Sequence, residues 1–169
     1  MKGGKTPDVV DATAGLGRDA FLLASLGANV TLIERSPVMH KLLREGMERA
    51  AEADAEIAGI IDRMTLLLGD AKDMLAGLDP QVILVDPMHP PRGKSALVKK
   101  QMRQIREIVG PDEDSLELMK IALSCASNRV VLKWPARAEP MAGLRPPSHQ
   151  IMGKSTRYDV FMTGNKVIN

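Results

Sequence analysis

Apolar residues follow two different spacings along this chain, and their alternation predicts its secondary structure. Short apolar runs typical of buried strands occur at residues 8–13, 29–34, 64–70, 81–86 and 128–135. Stretches with helical spacing lie at residues 18–27, 37–58, 71–77, 95–108 and 113–127. Two last segments, 148–153 and 156–164, predict a closing antiparallel pair. The expected fold is therefore α/β and doubly wound, with a mostly parallel sheet and a C-terminal antiparallel hairpin.

The composition indicates a globular protein rather than a disordered one, because 44% of the 169 residues are hydrophobic and 26% are charged. No linker or repeat interrupts the pattern, so we expect residues 1–169 to form a single domain. The one cysteine, Cys125, excludes a disulfide within the chain and fits a cytoplasmic protein. No signal peptide, membrane-length apolar run or metal-ligand cluster is visible, so we expect neither a membrane nor a metal partner.

Ligands of doubly wound sheets bind at the carboxyl ends of the strands, so the residues after each strand are the candidate site. The first strand is followed by Asp11, Gly15 and Gly17 in the pattern D-x-x-x-G-x-G, which suits a tight turn or a close ligand. With Ala20 the same glycines match a dinucleotide-binding pattern. Asp11 and Asp19 would repel a pyrophosphate but would suit a cation such as S-adenosylmethionine (SAM). Asp19 equally suits a helix-dipole partner.

Acidic residues also end the second and third strands. Glu34 can accept both hydroxyls of a ribose, a feature that NAD and SAM sites share. Asp70 can accept a hydrogen bond from an adenine amino group, or it can cap the helix that begins at Ala71. These residues predict an adenosine-type ligand without choosing between the two cofactors.

The fourth strand ends in the sequence VILVDPMHPP, which delivers Asp86 to a proline-rich loop. A loop of this kind suits an enzyme that methylates the exocyclic amine of a nucleobase. Such an amine is a poor nucleophile, because its lone pair is delocalised into the ring. The carboxylate of Asp86 and the backbone carbonyl of Pro87 could accept its N–H hydrogens and aim the lone pair at a methyl group. The backbone of Pro87 and Met88 could frame the base. The ring of His89 could stack on the base. The alternative is a rigid turn without chemistry.

A run of basic residues without an acidic one follows this loop. It contains Arg92, Lys94, Lys99, Lys100, Arg103 and Arg106, which could contact RNA phosphates beside the pocket. A solvated helix face is the alternative interpretation. The net charge of the whole chain is only +2, so the prediction depends on this local concentration.

Several of these segments together resemble the RsmJ family of bacterial 16S rRNA guanine-N2 methyltransferases. They are VVDATAGLGRDAF, LIERSP, VDPMHP, KSALVKKQMR, IVGPD and RYDVF. The resemblance implies a class I, Rossmann-like SAM-dependent methyltransferase in the cytoplasm, acting on 16S rRNA or the small ribosomal subunit. The cofactor positions that it implies are Arg18, Asp19, Glu34, Arg35, Asp70, Ala71 and Asp86.

Three features differ from the family pattern. Family members carry a region before the KGG segment, and we expect this chain to lack it. His89 stands where the family usually has Phe, and DAKD replaces a usual Ser pair near the adenine. Two alternatives to the methyltransferase hypothesis remain: a nucleotide-binding oxidoreductase, and a non-catalytic RNA-binding module that keeps the fold.

Overall fold

A computed structural model describes residues 6–88 and 114–164 of the chain, and these residues form one seven-stranded sheet. Its strands are β1 (Asp8–Asp11), β2 (Asn29–Glu34), β3 (Met64–Leu68), β4 (Val82–Val85), β5 (Arg129–Pro135), β6 (His149–Met152) and β7 (Thr156–Met162). Their order is β3-β2-β1-β4-β5-β7-β6. Strands β1 to β5 pair in parallel, whereas β7 pairs antiparallel with both β5 and β6. The predicted parallel sheet with a C-terminal hairpin is confirmed.

The helices of the described residues are α1 (Arg18–Ser25), α2 (Pro37–Ala53), α3 (Ala55–Ile61), α4 (Ala71–Leu78) and α5 (Ser115–Cys125). The prediction of one helix over residues 37–58 was wrong, because the helix is interrupted at Asp54 and two helices form instead. This residue has an extended backbone, and its carboxylate accepts hydrogen bonds from the Glu56 and Ile57 amides, which caps α3. None of the described helices has the length and apolarity that crossing a membrane requires. The predicted helix at 95–108 lies outside the described residues.

Two hydrophobic clusters hold the helices on the sheet. In one, Leu75 of α4 and Met119 of α5 pack with buried residues of β4 and β5. In the other, Ala20 and Ala24 of α1 pack with β1 and β2, and these small side chains let the helix lie close to the strands. The buried Trp134 belongs to the first cluster, where its Nε1 donates to the Glu139 carbonyl at 2.8 Å.

The strand register brings the acidic strand ends together. Strand β1 lies between β2 and β4, with Asp11 opposite Leu32 on one side and Leu84 on the other. The carboxyl ends of these three neighbouring strands therefore form one edge of the sheet. The strand order reverses at this edge, because β2 and β3 lie on one side of β1, and β4 and β5 lie on the other. Ligands of open α/β sheets usually bind at such a position.

Gly17 shapes the turn between β1 and α1. Its φ is 70°, and a Cβ added there would lie 2.9 Å from Cδ1 of Leu43. We expect Gly17→Ala to lower the free energy of unfolding by about 1–2 kcal/mol through backbone strain. Gly46→Ala in α2 meets nothing within 4 Å and should raise it by about 0.5–1 kcal/mol. Urea unfolding followed by circular dichroism measures both changes, and a Gly17→Ala protein as stable as wild type would contradict this account.

Candidate functional site

Two clefts open at the carboxyl edge of the sheet and share one wall. The first lies over the ends of β2 and β3 and the start of α4. The second lies over the ends of β1, β4 and β5 and has a volume of about 430 Å³, within the usual size of small-molecule sites. The shared wall consists of Thr13, Gly15, Asp86 and Met88. Ligands bound in the two clefts would therefore meet at this wall.

Hydrogen bonds connect the end of β1 with the end of β4. Oδ1 of Asp11 accepts from the Thr13 amide at 3.0 Å and from the Thr13 hydroxyl at 3.4 Å. The same hydroxyl accepts from the Asp86 amide at 2.7 Å. The loop that follows β1 therefore holds the Asp86 backbone in place. This limits the positions that the Asp86 carboxylate can take.

Asp11 titrates near neutral pH in the folded protein. Only 2% of its surface is exposed, and this burial raises its pKa to about 7. The hydrogen bonds from Thr13 oppose the shift in pKa, whereas the charges of Asp19 and Asp86 add to it. Asp11 therefore loses its proton more easily when a cation binds beside it.

This raised pKa predicts how stability depends on pH. Folded Asp11 keeps its proton up to about pH 7, whereas unfolded Asp11 loses it near 3.8. The folded state thus binds more protons over this window, and Asp11 ionisation costs stability as the pH rises. We expect the free energy of unfolding of wild type to fall by about 2 kcal/mol more than that of Asp11→Asn between pH 5 and pH 8. Parallel slopes in urea titrations of the two proteins would contradict the assignment.

Glu34 joins the end of β2 to the loop between β1 and α1 that contains Gly15 and Gly17, called here the glycine loop. The residue is 6% exposed and lines the first cleft. Its Oε2 accepts from the Gly15 amide at 3.1 Å, and its Oε1 accepts from the Ser36 amide at 2.8 Å. Each oxygen keeps a further lone pair, so this anchoring is compatible with the predicted ribose contact.

Asp70 at the end of the first cleft caps α4, since its Oδ1 accepts from the Lys72 amide at 2.9 Å. This confirms the capping interpretation. The predicted contact with an adenine amino group stays a prediction. Asp70 and Ala71 both line the cleft, so the start of α4 forms part of its wall.

An ion-pair cluster borders the same cleft. Asp114 binds Nη1 of Arg35 at 3.1 Å and Nζ of Lys72 at 2.8 Å. The hydrogen bond from Lys72, with the Arg35 charge, holds the pKa of Asp114 below its ordinary value. Lys72 also contacts Glu117 at 2.9 Å. Sequence reasoning missed Lys72 and Asp114 because their partners are distant in the chain.

Lys133 of β5 is a further residue that sequence reasoning missed. Its Nζ lies 2.7 Å from Oδ2 of Asp19 and 3.0 Å from Oδ2 of Asp86, in the second cleft. Burial alone would lower the pKa of Lys133, but the hydrogen bond to Asp19 and the Asp86 charge keep that pKa above its ordinary value. The available signal was a lysine near the carboxyl end of an apolar strand, RVVLKWP.

Most of the predicted site residues meet at this edge. Those that line a cleft are Asp11, Gly15, Arg18, Asp19, Glu34, Arg35, Asp70, Ala71, Asp86, Pro87 and Met88. Gly17 does not line either cleft and instead shapes the loop. His89 and the predicted RNA-binding residues Arg92, Lys94, Lys99, Lys100 and Arg103 lie outside the described residues. Within residues 6–88 and 114–164, no group of His, Cys, Asp and Glu could hold a metal ion.

A solved structure and a family model agree with this fold. The family model described as "Putative SAM-dependent methyltransferase" matches residues 1–163. A SAM-dependent methyltransferase from Neisseria gonorrhoeae is 37% identical with a TM-score of 0.75, over 94% of this chain and 62% of that one. An RNA methyltransferase from Salinibacter ruber, solved with S-adenosyl-L-homocysteine, is only 15% identical with a TM-score of 0.60, and shows the fold alone.

Curated relatives are more similar still. The ribosomal RNA small subunit methyltransferase J of Brucella anthropi is 72% identical over 157 residues, which cover 93% of this chain and 77% of the relative. The protein of that name from Agrobacterium fabrum is 65% identical, over 94% of this chain and 76% of the relative. Such identity over nearly the whole chain means that this chain belongs to the ribosomal RNA small subunit methyltransferase J family.

Proposed function

We propose that this chain transfers the methyl group of SAM to the N2 amine of a guanine in 16S rRNA. The observation that carries the proposal is Asp86 in the wall that the two clefts share. A SAM molecule that extends from the first cleft into the second would bring its methyl group to this wall, within reach of an acceptor base that enters the second cleft. The name shared by the relatives supports small-subunit rRNA as the substrate.

The residues of the clefts fit SAM. Glu34 and Asp70 line the first cleft and offer carboxylates to the ribose and the adenine. Asp11, Arg18 and Asp19 line the second cleft and place both charge signs near the glycine loop. A ligand that carries an ammonium and a carboxylate at one end, as the methionine part does, is complementary to these charges. A pyrophosphate would meet the two aspartates without such complementarity.

Asp86 and its neighbours orient the acceptor in this proposal. The Asp86 carboxylate and the Pro87 carbonyl accept the two N–H hydrogens of the amine, which leaves the nitrogen lone pair directed at the donor. Pro87 is buried and limits the backbone freedom of this loop. When bound, SAM supplies an electrophilic methyl group on its sulfonium. The methylated amine is acidic, so loss of its extra proton needs no strong base.

Guanine N2 as the target atom is supported by the Asp-Pro loop and by the family resemblance. An exocyclic amine needs acceptors for its hydrogens, and this loop offers a carboxylate beside a proline-restricted carbonyl. A base must leave its stack to reach such a cleft, and the second cleft is bounded by Trp134, Pro135 and Thr156. The basic residues proposed to hold the RNA backbone follow the same loop in the sequence.

Two experiments test the proposal. Calorimetric titrations of the chain with SAM and with NAD are expected to show selective micromolar binding of SAM. Labelled SAM is then incubated with 16S rRNA, with assembled small subunits and, as a control, with 23S rRNA. Mass spectrometry of the digested nucleosides should find N2-methylguanosine in the small-subunit RNA. Binding of NAD alone, or methylation at another atom, would overturn the assignment.

A further inference from the structure

Lys133 joins two segments across the second cleft. Its ammonium contacts Asp19 in the first turn of α1 and Asp86 in the loop after β4. The side chains of Lys133, Asp19 and Asp86 are 25%, 29% and 39% exposed. Since these groups are only partly exposed, water screens their charges less than it does on an open surface. The bridge therefore acts on Asp86 in the wall where the two clefts meet.

The position of Lys133 is fixed by its strand. Along β5, Leu132 and Trp134 are buried in the hydrophobic cluster that contains α4 and α5. Because side chains alternate across a strand, Lys133 points to the opposite face, toward α1. Strand β5 pairs with β7 at Lys133 itself, opposite Tyr158, and with β4 up to the preceding residue, Leu132. The ammonium is thus presented from a rigid element rather than from a loop.

The Lys133 ammonium lies among the carboxyl groups of the second cleft. The charged groups of the second cleft are Asp11 from β1, Arg18 and Asp19 from α1, Asp86 after β4 and Lys133 itself. The phenol of Tyr158 on β7 is the cross-strand neighbour of Lys133. The charges of Asp19 and Asp86 already disfavour ionisation of Asp11. A cation that contacts both of them at 3.0 Å or less relieves this repulsion.

We propose that Lys133 is a positioning residue for methyl transfer, whose ammonium keeps the Asp86 carboxylate ionised and in one orientation beside the acceptor amine. This inference rests on the proposed function, because it assigns the amine to Asp86. Both oxygens of an ionised carboxylate accept hydrogen bonds from the amine, whereas in a protonated carboxyl group one oxygen carries an O–H donor and fewer acceptor sites remain. Through Lys133, the Asp86 loop is also tied to Asp19 in the first turn of α1.

The test compares Lys133→Met, which keeps an unbranched side chain of similar length and loses the charge, with Lys133→Arg, which keeps the charge. In the methylation assay, we expect Lys133→Met to lower kcat by about 100-fold while KM for SAM and for RNA changes by less than about three-fold. Lys133→Arg should restore kcat to within about ten-fold of wild type. The acid limb of the kcat profile should move to higher pH in Lys133→Met, because the lost cation favoured the ionised form of the carboxylate that it contacts.

A matched control and two contrary outcomes sharpen this test. Lys120 lies exposed on α5, and Lys120→Met should change neither kcat nor the pH profile. A rise in KM for RNA with kcat unchanged would make Lys133 a phosphate contact and overturn the proposal. Equal losses in Lys133→Met and Lys133→Arg, with an unmoved pH profile, would reduce the bridge to a structural tie and also overturn it.

An assay without RNA separates this proposal from the proposed function. Carbon-13 NMR of labelled aspartate carboxyls follows their ionisation in the wild type and in Lys133→Met. We expect Asp11, whose ionisation the Asp19 and Asp86 charges disfavour, to titrate at higher pH in the variant, with the aspartates outside the second cleft unchanged. Unchanged titration would overturn the role of Lys133 even if wild type methylates rRNA. A shifted titration in a chain that methylates no RNA would contradict the proposed function alone.

Discussion

Replacing Asp86 by alanine is expected to abolish methyl transfer, with kcat reduced by about 10³-fold or more, while leaving SAM binding nearly intact. The expected loss is large because the amine would lose the acceptor that orients its lone pair, and orientation errors raise the barrier steeply. Binding should persist because other residues, among them Gly15, Glu34 and Asp70, also line the cofactor side and remain in the variant. Single-turnover methylation measures the first quantity and calorimetry the second.

Two further variants make the Asp86 result interpretable. Asp73→Ala, at an exposed aspartate in the first turn of α4, should leave both measurements unchanged. Asp86→Asn keeps one acceptor oxygen and should lose less activity than Asp86→Ala, although the Lys133 ammonium loses a charged partner. If Asp86→Ala lost SAM affinity and methyl transfer to the same extent, the orienting role would be wrong and Asp86 would be a cofactor ligand.

Replacing Glu34 by alanine is expected to have the largest effect on the cofactor. The amides of Gly15 and Ser36 would lose their acceptor, and two unsatisfied N–H groups cost about 2–4 kcal/mol together. The ribose would lose its acceptor as well, so we expect the Kd for SAM to rise by about 100-fold. Urea unfolding and calorimetry measure these two changes separately.

The controls for Glu34 distinguish anchoring of the loop from contact with the ribose. Glu34→Gln keeps one carbonyl acceptor and should lose less stability than Glu34→Ala. Glu48→Ala, on the exposed face of α2, should change neither quantity. A Glu34→Ala protein that is destabilised but binds SAM with wild-type affinity would refute the ribose contact and leave Glu34 only an anchor for the glycine loop.

The parts of the fold that follow from local pattern were predictable. Apolar runs of strand length alternating with helical spacing predicted the parallel sheet, and the hairpin at its end is also present. The break between α2 and α3 was not predictable from periodicity, because helical spacing continues on both sides of it. It depends on one carboxylate, Asp54, that binds two amides ahead of it.

Some residues of the candidate site could likewise be predicted from the sequence, and others could not. Asp11, Glu34 and Asp86 could be chosen from the sequence because each is an acid at the end of an apolar run, and parallel strands end at one edge. The Lys72–Asp114 and Lys133–Asp19 pairs could not be chosen, since their members lie on different elements. Pairing partners of this kind depend on the docking of helices on the sheet, which no local pattern encodes.

The sequence by itself determined which residues stand at the strand ends, and therefore the chemistry available to the site. Only the tertiary structure decided how readily these residues ionise and which charged partners they have. Asp11 titrates near neutral pH because the folded chain buries it beside Asp19 and Asp86, and Asp86 has a cation because β5 presents Lys133 to it. Burial and distance between charges are properties of the packed chain, since residues far apart in sequence come together only when the sheet forms.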